Sequence, residues 1–188
     1  MTDKLFIPIL LGSVRQGRES EKVARLILAR IQSEYPQIET VLFDPRLMNV
    51  PHSEEGTALA AINRDWQEAI LRADGLIVIA PEYNHGYPGS LKDVLDMLLK
   101  EYIHKAVGLV GVSSGWTGGT RVIESLLPVV RELGLAVTFT DLNVSYVQKA
   151  FADDGTAIDP KLNTRTDSFL NELVWLSTTL RWGRANLK

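Results

Sequence analysis

Five apolar, strand-like runs alternate along the chain with helical patterns, and this alternation restricts the fold more than any other feature. Near-continuous apolar strands are typical of a sheet that is covered on both faces, and β-α alternation produces a parallel sheet with helices on either side. The sequence therefore predicts an α/β fold, a three-layer, doubly wound, five-stranded parallel sheet in a single domain over residues 1–188. The five runs are "KLFIPILLG", "IETVLFD", "GLIVIAP", "AVGLVGVSS" and "LAVTFTDLNV".

The segments between and after these runs have the period of amphipathic helices. In the third segment, Leu91, Val94 and Leu98 fall on one helical face, while Lys92 and Asp96 fall off it. Pro128 lies inside the fourth segment and predicts a kink there. The predicted helices are "ESEKVARLILARIQSEY", "ALAAINRDWQEAILRA", "PGSLKDVLDMLLKEY", "TRVIESLLPVVREL" and "TDSFLNELVWLSTTLRW".

Composition and charge exclude several classes of function. The chain has no cysteine, which excludes disulfides, thiolate metal sites and cysteine nucleophiles and suits a cytoplasmic location. The net charge is −3 with no basic stripe, so we expect no nucleic-acid partner. No apolar run approaches the roughly 20 residues of a membrane span, so we expect no membrane partner. The histidines, His52, His85 and His104, are scattered, and we expect no metal site.

Three loops that follow predicted strands carry unusual polar residues. Ligands of open α/β sheets bind beyond the carboxyl ends of the strands, where the strand order reverses. The loops are "GSVRQGRES" after the first strand, "PEYNHGYPG" after the third and "SSGWTGG" after the fourth. We therefore expect the functional residues to converge on one edge of the sheet.

The first loop comes close to a nucleotide-binding P-loop but lacks two of its parts. Gly12 and Gly17 have the P-loop spacing, yet Arg18 replaces the lysine and Glu19 replaces the magnesium-binding hydroxyl. The loop leads into a helix N-terminus, where free N–H groups and the helix dipole favour an anion. Arginine and serine side chains add donors for phosphate oxygens. The sequence thus predicts a site that holds a phosphate without the groups for transferring one.

The second loop suits a flat heteroaromatic ring, because its tyrosine and asparagine side chains can stack on a ring or bond to its edge. The third loop contains Gly111-Val112-Ser113-Ser114-Gly115, which matches the G-x-S-x-G nucleophile elbow of α/β-hydrolases. That fold places its histidine after the nucleophile, whereas all three histidines here precede Ser113. The order disfavours a hydrolase, and the glycines favour close approach of backbone N–H groups to a ligand.

Taken together, "GSVRQGRESEKVA", "PEYNHGYPGSLKDVLD" and "SSGWTGGTR" resemble the NADPH-dependent FMN reductase family, a flavodoxin-like group that includes quinone, azo-dye and chromate reductases. The likeness covers nearly the whole chain. It implies a sheet order of 2-1-3-4-5, FMN as the cofactor and NADPH or NADH as the co-substrate. It also implies a small-molecule electron acceptor and a homodimer or tetramer.

The resemblance also implies a set of cofactor-binding residues. The phosphate loop would contain Ser13, Arg15, Arg18, Glu19 (through its backbone) and Ser20. Pro81, Glu82, Tyr83 and Asn84 would border the isoalloxazine ring, and Ser113 and Gly115 would approach its other polar edge. No residue is expected to be catalytic, since the flavin carries the chemistry.

The predicted function is an FMN-dependent oxidoreductase that passes electrons from NAD(P)H through the flavin to quinone-like or other small acceptors. Two alternatives stay open. One is a non-enzymatic flavodoxin-type electron carrier, although such carriers are usually more acidic than this chain. The other is a flavin reductase that releases reduced FMN as its product.

Overall fold

The central sheet consists of five parallel strand lines in a computed structural model that describes residues 4–50 and 57–187. Three of the five lines are each interrupted into two short strands. The lines are, in chain order, β1 (Leu5–Phe6) with β2 (Ile9–Leu11), β3 (Ile38–Glu39) with β4 (Leu42–Phe43), β5 (Gly75–Pro81), β6 (Ala106–Val112), and β7 (Ala136–Val137) with β8 (Leu142–Val144).

The first strand line is interrupted at Pro8, which has no N–H to donate to a neighbouring strand. Backbone hydrogen bonds continue on both sides of the interruption. The Ile7 N–H donates to the Glu39 carbonyl (2.9 Å), and the Ile9 N–H donates to the Val41 carbonyl (2.8 Å). The four short strands β1 to β4 therefore act as two adjacent lines of one sheet edge.

The sheet has the order β4-β2-β5-β6-β7, and β8 also pairs with β6. Every pairing is parallel. Counted by strand lines, this is 2-1-3-4-5, which confirms the predicted fold class and order. The order reverses between the first and third lines, so the loops that follow β2 and β5 lie side by side.

In the described ranges, six α-helices and three one-turn 3₁₀ helices surround the sheet. The α-helices are α1 (Ser20–Glu34), α2 (Thr57–Ile62), α3 (Arg64–Arg72), α4 (Gly89–Leu95), α5 (Thr120–Glu132) and α6 (Pro160–Asn186). The 3₁₀ helices, η1 to η3, are Pro45–Leu47, Lys100–Tyr102 and Val147–Lys149.

Alternate residues of the strands enter two separate hydrophobic clusters, one on each face of the sheet. In β5, Ile77 and Ile79 pack with side chains of α1 and α6, whereas Leu76 and Val78 pack with side chains of α3, α4 and α5. This division follows from the period of two along a strand, and it produces the three predicted layers.

Gly108 shows how closely α6 approaches the sheet. A Cβ atom at this position of β6 would lie 2.5 Å from Cζ of Phe169, which is fully buried. The glycine therefore makes room for an aromatic ring in the layer between β6 and α6.

Two predicted helices are shorter than their patterns indicated. The segment over residues 58–73 breaks at Asn63, whose side chain donates to the Asn49 carbonyl (2.7 Å) and accepts from the Asn49 N–H (3.2 Å). The backbone of Asn63 has φ −113° and ψ 54°, outside the helical range, and Asn63 becomes the residue before α3. The segment over residues 88–102 ends as a helix at Leu95 and continues as η2, which buries Tyr102 completely and leaves Leu99 exposed.

The last helix begins earlier and ends later than predicted. Asp159 caps it by accepting a hydrogen bond from the Lys161 N–H (3.0 Å), and Pro160 occupies its first turn, a favourable start signal. Helix α5 continues past Pro128 to Glu132. Residues 51–56 of the loop "LMNVPHSEEG", including His52, lie outside the described residues.

Candidate functional site

A cavity of about 220 Å³ lies beyond the carboxyl ends of β2, β5 and β6, where the sequence predicts the site. Four chain segments line it, one after each of these strands and a fourth formed by η3, which follows β8. Eight of the eleven predicted cofactor-binding residues line the cavity: Arg15, Arg18, Glu19, Ser20, Pro81, Glu82, Tyr83 and Ser113. The other three, Ser13, Asn84 and Gly115, lie outside the lining.

Ser13 connects the first loop to the second. Its side chain is fully buried, and its hydroxyl lies 2.7 Å from the hydroxyl of Tyr83. The same oxygen accepts a hydrogen bond from the Arg15 N–H at 3.1 Å. Ser13 thus fixes the first loop against Tyr83, and its hydroxyl faces protein groups on both sides.

The guanidinium group of Arg18 donates most of its hydrogen bonds to protein acceptors. Nη1 donates to the Ser13 carbonyl (2.5 Å) and to Oδ1 of Asp44 (2.7 Å), and Nη2 donates to Oδ2 of Asp44. The side chain is only 3% exposed. The hydrogen bond between the two side chains raises the pKa of Arg18 and lowers the pKa of Asp44. Both groups are therefore held in their charged forms, and only Nε of Arg18 is left buried without a partner.

The end of the first loop leaves several donors directed at no protein acceptor. Ser20, at the start of α1, is 1% exposed, and its buried Oγ has no partner. Among the described residues, no acceptor receives the backbone N–H groups of Gln16, Gly17 and Glu19. The Glu19 carboxylate instead lies 2.7 Å from Nζ of Lys22. Unpartnered donors at a helix N-terminus form an anion site.

The second loop closes in a two-residue turn. Tyr83 and Gly86 exchange backbone hydrogen bonds of 2.9 and 3.0 Å, and the residues between them, Asn84 and His85, have φ angles of 51° and 69°. Asparagine tolerates this left-handed region better than most residues. The turn directs Asn84 away from the cavity lining and keeps Tyr83 in it.

Glu82 contributes an acidic group to the cavity. Its side chain is 9% exposed, Oε1 lies 3.6 Å from Nη1 of Arg121, and the buried Oε2 has no partner. The same Arg121 nitrogen lies 3.2 Å from Nε2 of His85. A carboxylate oxygen without a donor suits a ligand that brings an N–H or O–H group.

The third loop is folded on itself at Ser113. The Ser113 hydroxyl donates to the Gly115 carbonyl and accepts from the Gly115 N–H, both at 3.0 Å. In the described part of the chain no histidine bonds to this hydroxyl, and the ring of His85 bonds to Arg121 instead. The match to a nucleophile elbow is therefore not accompanied by a general base, which a hydrolase requires.

Glycines allow the third loop to approach the sheet. Gly119 has a φ of 81°, and a Cβ atom there would lie 2.5 Å from the Val112 nitrogen. The turn that follows "SSGWT" consequently packs directly on the end of β6, and α5 begins at the next residue.

Sequence reasoning missed two parts of the site. Val147 and Gln148 of η3 line the cavity, and they follow the fifth strand line, so the rule on carboxyl ends could have found them. Asp44 and Arg46, which follow β4, hold the first loop. Asp44 accepts a hydrogen bond from the Arg18 side chain, and the Arg46 side chain donates to the Arg15 carbonyl. No sequence pattern links them to that loop.

The arrangement fits FMN on the observations above. Ser20 Oγ, Arg18 Nε and the unpartnered N–H groups suit a monophosphate, and Glu82 Oε2 suits a ring or side-chain donor. Within the described ranges, no cluster of three or more potential metal ligands occurs. In the same ranges, no helix combines the length and apolar character that crossing a bilayer requires.

Comparisons with known proteins agree with this geometry. Residues 7–149 match the family described as NADPH-dependent FMN reductase. An FMN-dependent NADPH-azoreductase of Staphylococcus haemolyticus is 27% identical over 174 residues, which cover 88% of this chain and 92% of that protein. A quinone reductase of Escherichia coli is 32% identical over 127 residues, 64% of this chain and 66% of that protein. Among solved structures, the Paracoccus denitrificans flavoenzyme FerB, an NAD(P)H:(acceptor) oxidoreductase, superposes with a TM-score of 0.71 at 20% identity, over 91% of this chain and 98% of that one.

Proposed function

The chain belongs to the NADPH-dependent FMN reductase family, and on that premise we propose that it passes electrons from NAD(P)H to small quinone-like or azo acceptors. It is an oxidoreductase with FMN as its cofactor. The observation that carries the proposal is the cavity at the reversal of strand order, whose lining combines first-loop residues that have unpartnered donors with Glu82, which has an unpartnered carboxylate oxygen. The acceptor class rests on the named activities of the relatives.

We propose that the first loop holds the FMN phosphate. Ser20 Oγ, Arg18 Nε and the N–H groups of Gly17 and Glu19 belong to residues that line the cavity and supply donors. The unpartnered N–H group of Gln16 lies next to this lining in the chain, and Arg15 supplies an exposed positive charge. The free N-terminus of α1 adds a favourable dipole. The resemblance implies that Ser13 also belongs to the phosphate loop. In the proposed arrangement its hydroxyl is not a phosphate donor, because it is bonded to the Tyr83 hydroxyl and to the Arg15 N–H.

The second and third loops then orient the ring. Tyr83 is fixed through Ser13, and Glu82 offers an acceptor beside Pro81. Ser113 and Ser114 also line the cavity, and the two hydrogen bonds between Ser113 and Gly115 restrain that loop. When bound, the flavin would accept hydride and pass electrons to the acceptor. The protein would bind and orient the flavin and supply the charges around it.

The experiment is an acceptor screen on the purified protein. The absorbance spectrum and chromatography of the extracted flavin identify the cofactor, with FMN expected. NADPH and NADH oxidation is then followed with a quinone, with an azo dye and with free FMN as acceptors. Turnover with the quinone or the dye supports the proposal. Flavin that stays bound without NAD(P)H oxidation indicates an electron carrier, and turnover with free FMN alone indicates a flavin-releasing reductase.

We also propose that the chain forms one domain and assembles as a homodimer or tetramer in the cytoplasm, where NAD(P)H is available. Large apolar side chains on the surface support assembly. Trp175 and Trp182 are 63% and 60% exposed and lie seven residues apart, hence on one face of α6. Light scattering coupled to size exclusion measures the oligomeric state. A monomer at micromolar concentration contradicts this part of the proposal.

A further inference from the structure

We infer that Asp44 and Arg46 are positioning residues for the phosphate loop, which they hold together with Arg18 from the turn after β4. We call these three residues the clasp. The inference deepens the proposed function and rests on it, because it concerns the loop that receives the phosphate. Neither Asp44 nor Arg46 lines the cavity, so their action on a ligand passes through the loop.

The clasp engages three successive carbonyl groups of the loop. Arg18 donates to the Ser13 carbonyl at 2.5 Å. Nε of Arg46 donates to the Val14 carbonyl at 3.1 Å, and its Nη2 donates to the Arg15 carbonyl. Each guanidinium has its donors in a fixed planar fork, which suits simultaneous bonds to neighbouring acceptors.

Asp44 connects the two arginines. Its carboxylate accepts the fork of Arg18, and its Oδ1 also accepts from the Arg46 N–H at 3.0 Å, which caps η1. The side chain of Asp44 is 19% exposed and that of Arg18 is 3% exposed, so the ion pair is mostly shielded from water. Asp44 therefore fixes the orientation of the Arg18 side chain and the position of the Arg46 backbone N–H.

The direction of the carbonyls determines the direction of the amides. No peptide bond in the described chain is cis, and in a planar trans peptide the N–H points opposite to the C=O. With the carbonyls of residues 13–15 turned toward the arginines, the N–H groups of residues 14–16 point away from them. Of these, the Arg15 N–H bonds to Ser13 Oγ, whereas the N–H groups of Val14 and Gln16 have no acceptor among the described residues. The loop continues from Gln16 to Gly17 and Glu19, whose N–H groups are also unpartnered.

The clasp thus supplies orientation that the loop sequence does not supply alone. A glycine-containing loop has many accessible backbone conformations, and only some of them direct successive N–H groups at one point. Holding the carbonyls from behind reduces this freedom before the phosphate arrives, which is preorganisation of an anion site.

The test compares FMN with riboflavin, which lacks the phosphate, by quenching of flavin fluorescence on titration with flavin-free protein. Arg46→Ala should raise the Kd for FMN roughly tenfold, the effect of about 1.4 kcal/mol, and leave the Kd for riboflavin unchanged. Arg46→Lys should behave like Arg46→Ala, because an ammonium keeps the charge but lacks the planar fork. Arg131→Ala, an exposed arginine in the last turn of α5, removes the same charge and should change neither Kd.

Three outcomes overturn the inference. FMN affinity restored by Arg46→Lys shows that Arg46 acts by charge alone. Equal weakening of FMN and riboflavin shows a general loss of structure. Unchanged FMN affinity in Arg46→Ala shows that the loop does not need the clasp.

Hydrogen exchange separates this inference from the proposed function. In the flavin-free protein, the amide of Arg15, whose N–H bonds to Ser13 Oγ, should exchange faster in Arg46→Ala and Arg46→Lys than in wild type or Arg131→Ala. This holds whether or not the protein reduces any acceptor. Unchanged exchange in both Arg46 variants refutes the clasp. Faster exchange in those variants, found together with a wild-type protein that reduces no acceptor, refutes only the proposed function.

Discussion

The pair of Asp44 with Arg18 allows a quantitative prediction for Asp44→Asn. Removing one partner of a buried ion pair costs about 3–5 kcal/mol, because it leaves the other charge buried without compensation. Asparagine keeps one oxygen that can accept from Arg18 and from the Arg46 N–H, so part of the interaction remains. We expect Asp44→Asn to lower the free energy of unfolding at pH 7 by about 2 kcal/mol.

The loss should depend on pH in a defined direction. The hydrogen bond from Arg18 lowers the pKa of Asp44 in the folded state, below the value of about 3.9 for an unfolded chain. The stabilisation is therefore fully present above the unfolded pKa and is lost as the pH falls through the folded pKa. The difference in the free energy of unfolding between wild type and Asp44→Asn should therefore shrink as the pH falls below about 4 and through the lowered pKa of Asp44.

Urea unfolding at pH 7 and at pH 3, followed by circular dichroism, measures both quantities. Glu39→Gln is the matched control, because Glu39 pairs with Arg72 while both side chains are about half exposed. Such a surface pair contributes about 0–1 kcal/mol. Two results would contradict this role of Asp44. One is a loss of unfolding free energy in Asp44→Asn that is no larger than the loss in Glu39→Gln, and the other is an equal loss in Asp44→Asn at both pH values.

Three further predictions concern other parts of the molecule. Gly108→Ala should destabilise the protein by about 1–3 kcal/mol, because its Cβ would meet the Phe169 ring at 2.5 Å, whereas Gly89→Ala, with open space around it, should be neutral in the same urea titration. Ser113→Ala should keep quinone reduction within roughly tenfold of wild type, since only a neutral hydrogen bond is lost; an esterase activity of the wild type that vanishes in Ser113→Ala, with no quinone reduction in either protein, would restore the nucleophile hypothesis. Burial lowers the pKa of Lys105 to about 8, so the unfolded state binds the proton that the folded state releases above that pH. The stability of wild type relative to Lys105→Met should therefore rise from about pH 8 to pH 10, and a constant difference in urea titrations would contradict this.

The strand lines and their loops could be predicted because apolar runs of this kind have few alternatives. "GLIVIAP" and "AVGLVGVSS" became β5 and β6, the two longest strands, with both faces buried. Their carboxyl ends carry loops whose residues line one cavity. The interruptions were less visible, since Pro8 lies within an apolar run and its effect on pairing depends on the neighbouring strand.

The clasp could not be predicted from the sequence. Arg18 is 26 residues from Asp44, and Arg46 is 31 residues from Arg15, so no local period or motif connects them. The family resemblance, and the general suitability of an arginine in a glycine-containing loop for an anion, assigned Arg18 to the phosphate loop. What decides its role is a competing carboxylate that the fold brings from the next strand line, at the end of β4.

The contacts of Arg18 and Glu19 explain how a loop with P-loop spacing can suit a phosphate without magnesium. In a P-loop, the residue after the second glycine is a lysine that reaches the phosphates, and the next hydroxyl binds the metal. Here Arg18 turns to Asp44 instead, and the Glu19 carboxylate pairs with Lys22. The net charge that these side chains bring to the ligand is consequently small, and donors such as Ser20 Oγ and the free N–H groups remain. A monophosphate that only has to be held needs directed donors more than a bridging cation, because no charge develops on it during the reaction. On the function proposed for this chain, orientation of the loop backbone by Asp44 and Arg46 would therefore take the place of the lysine and the metal in holding the phosphate.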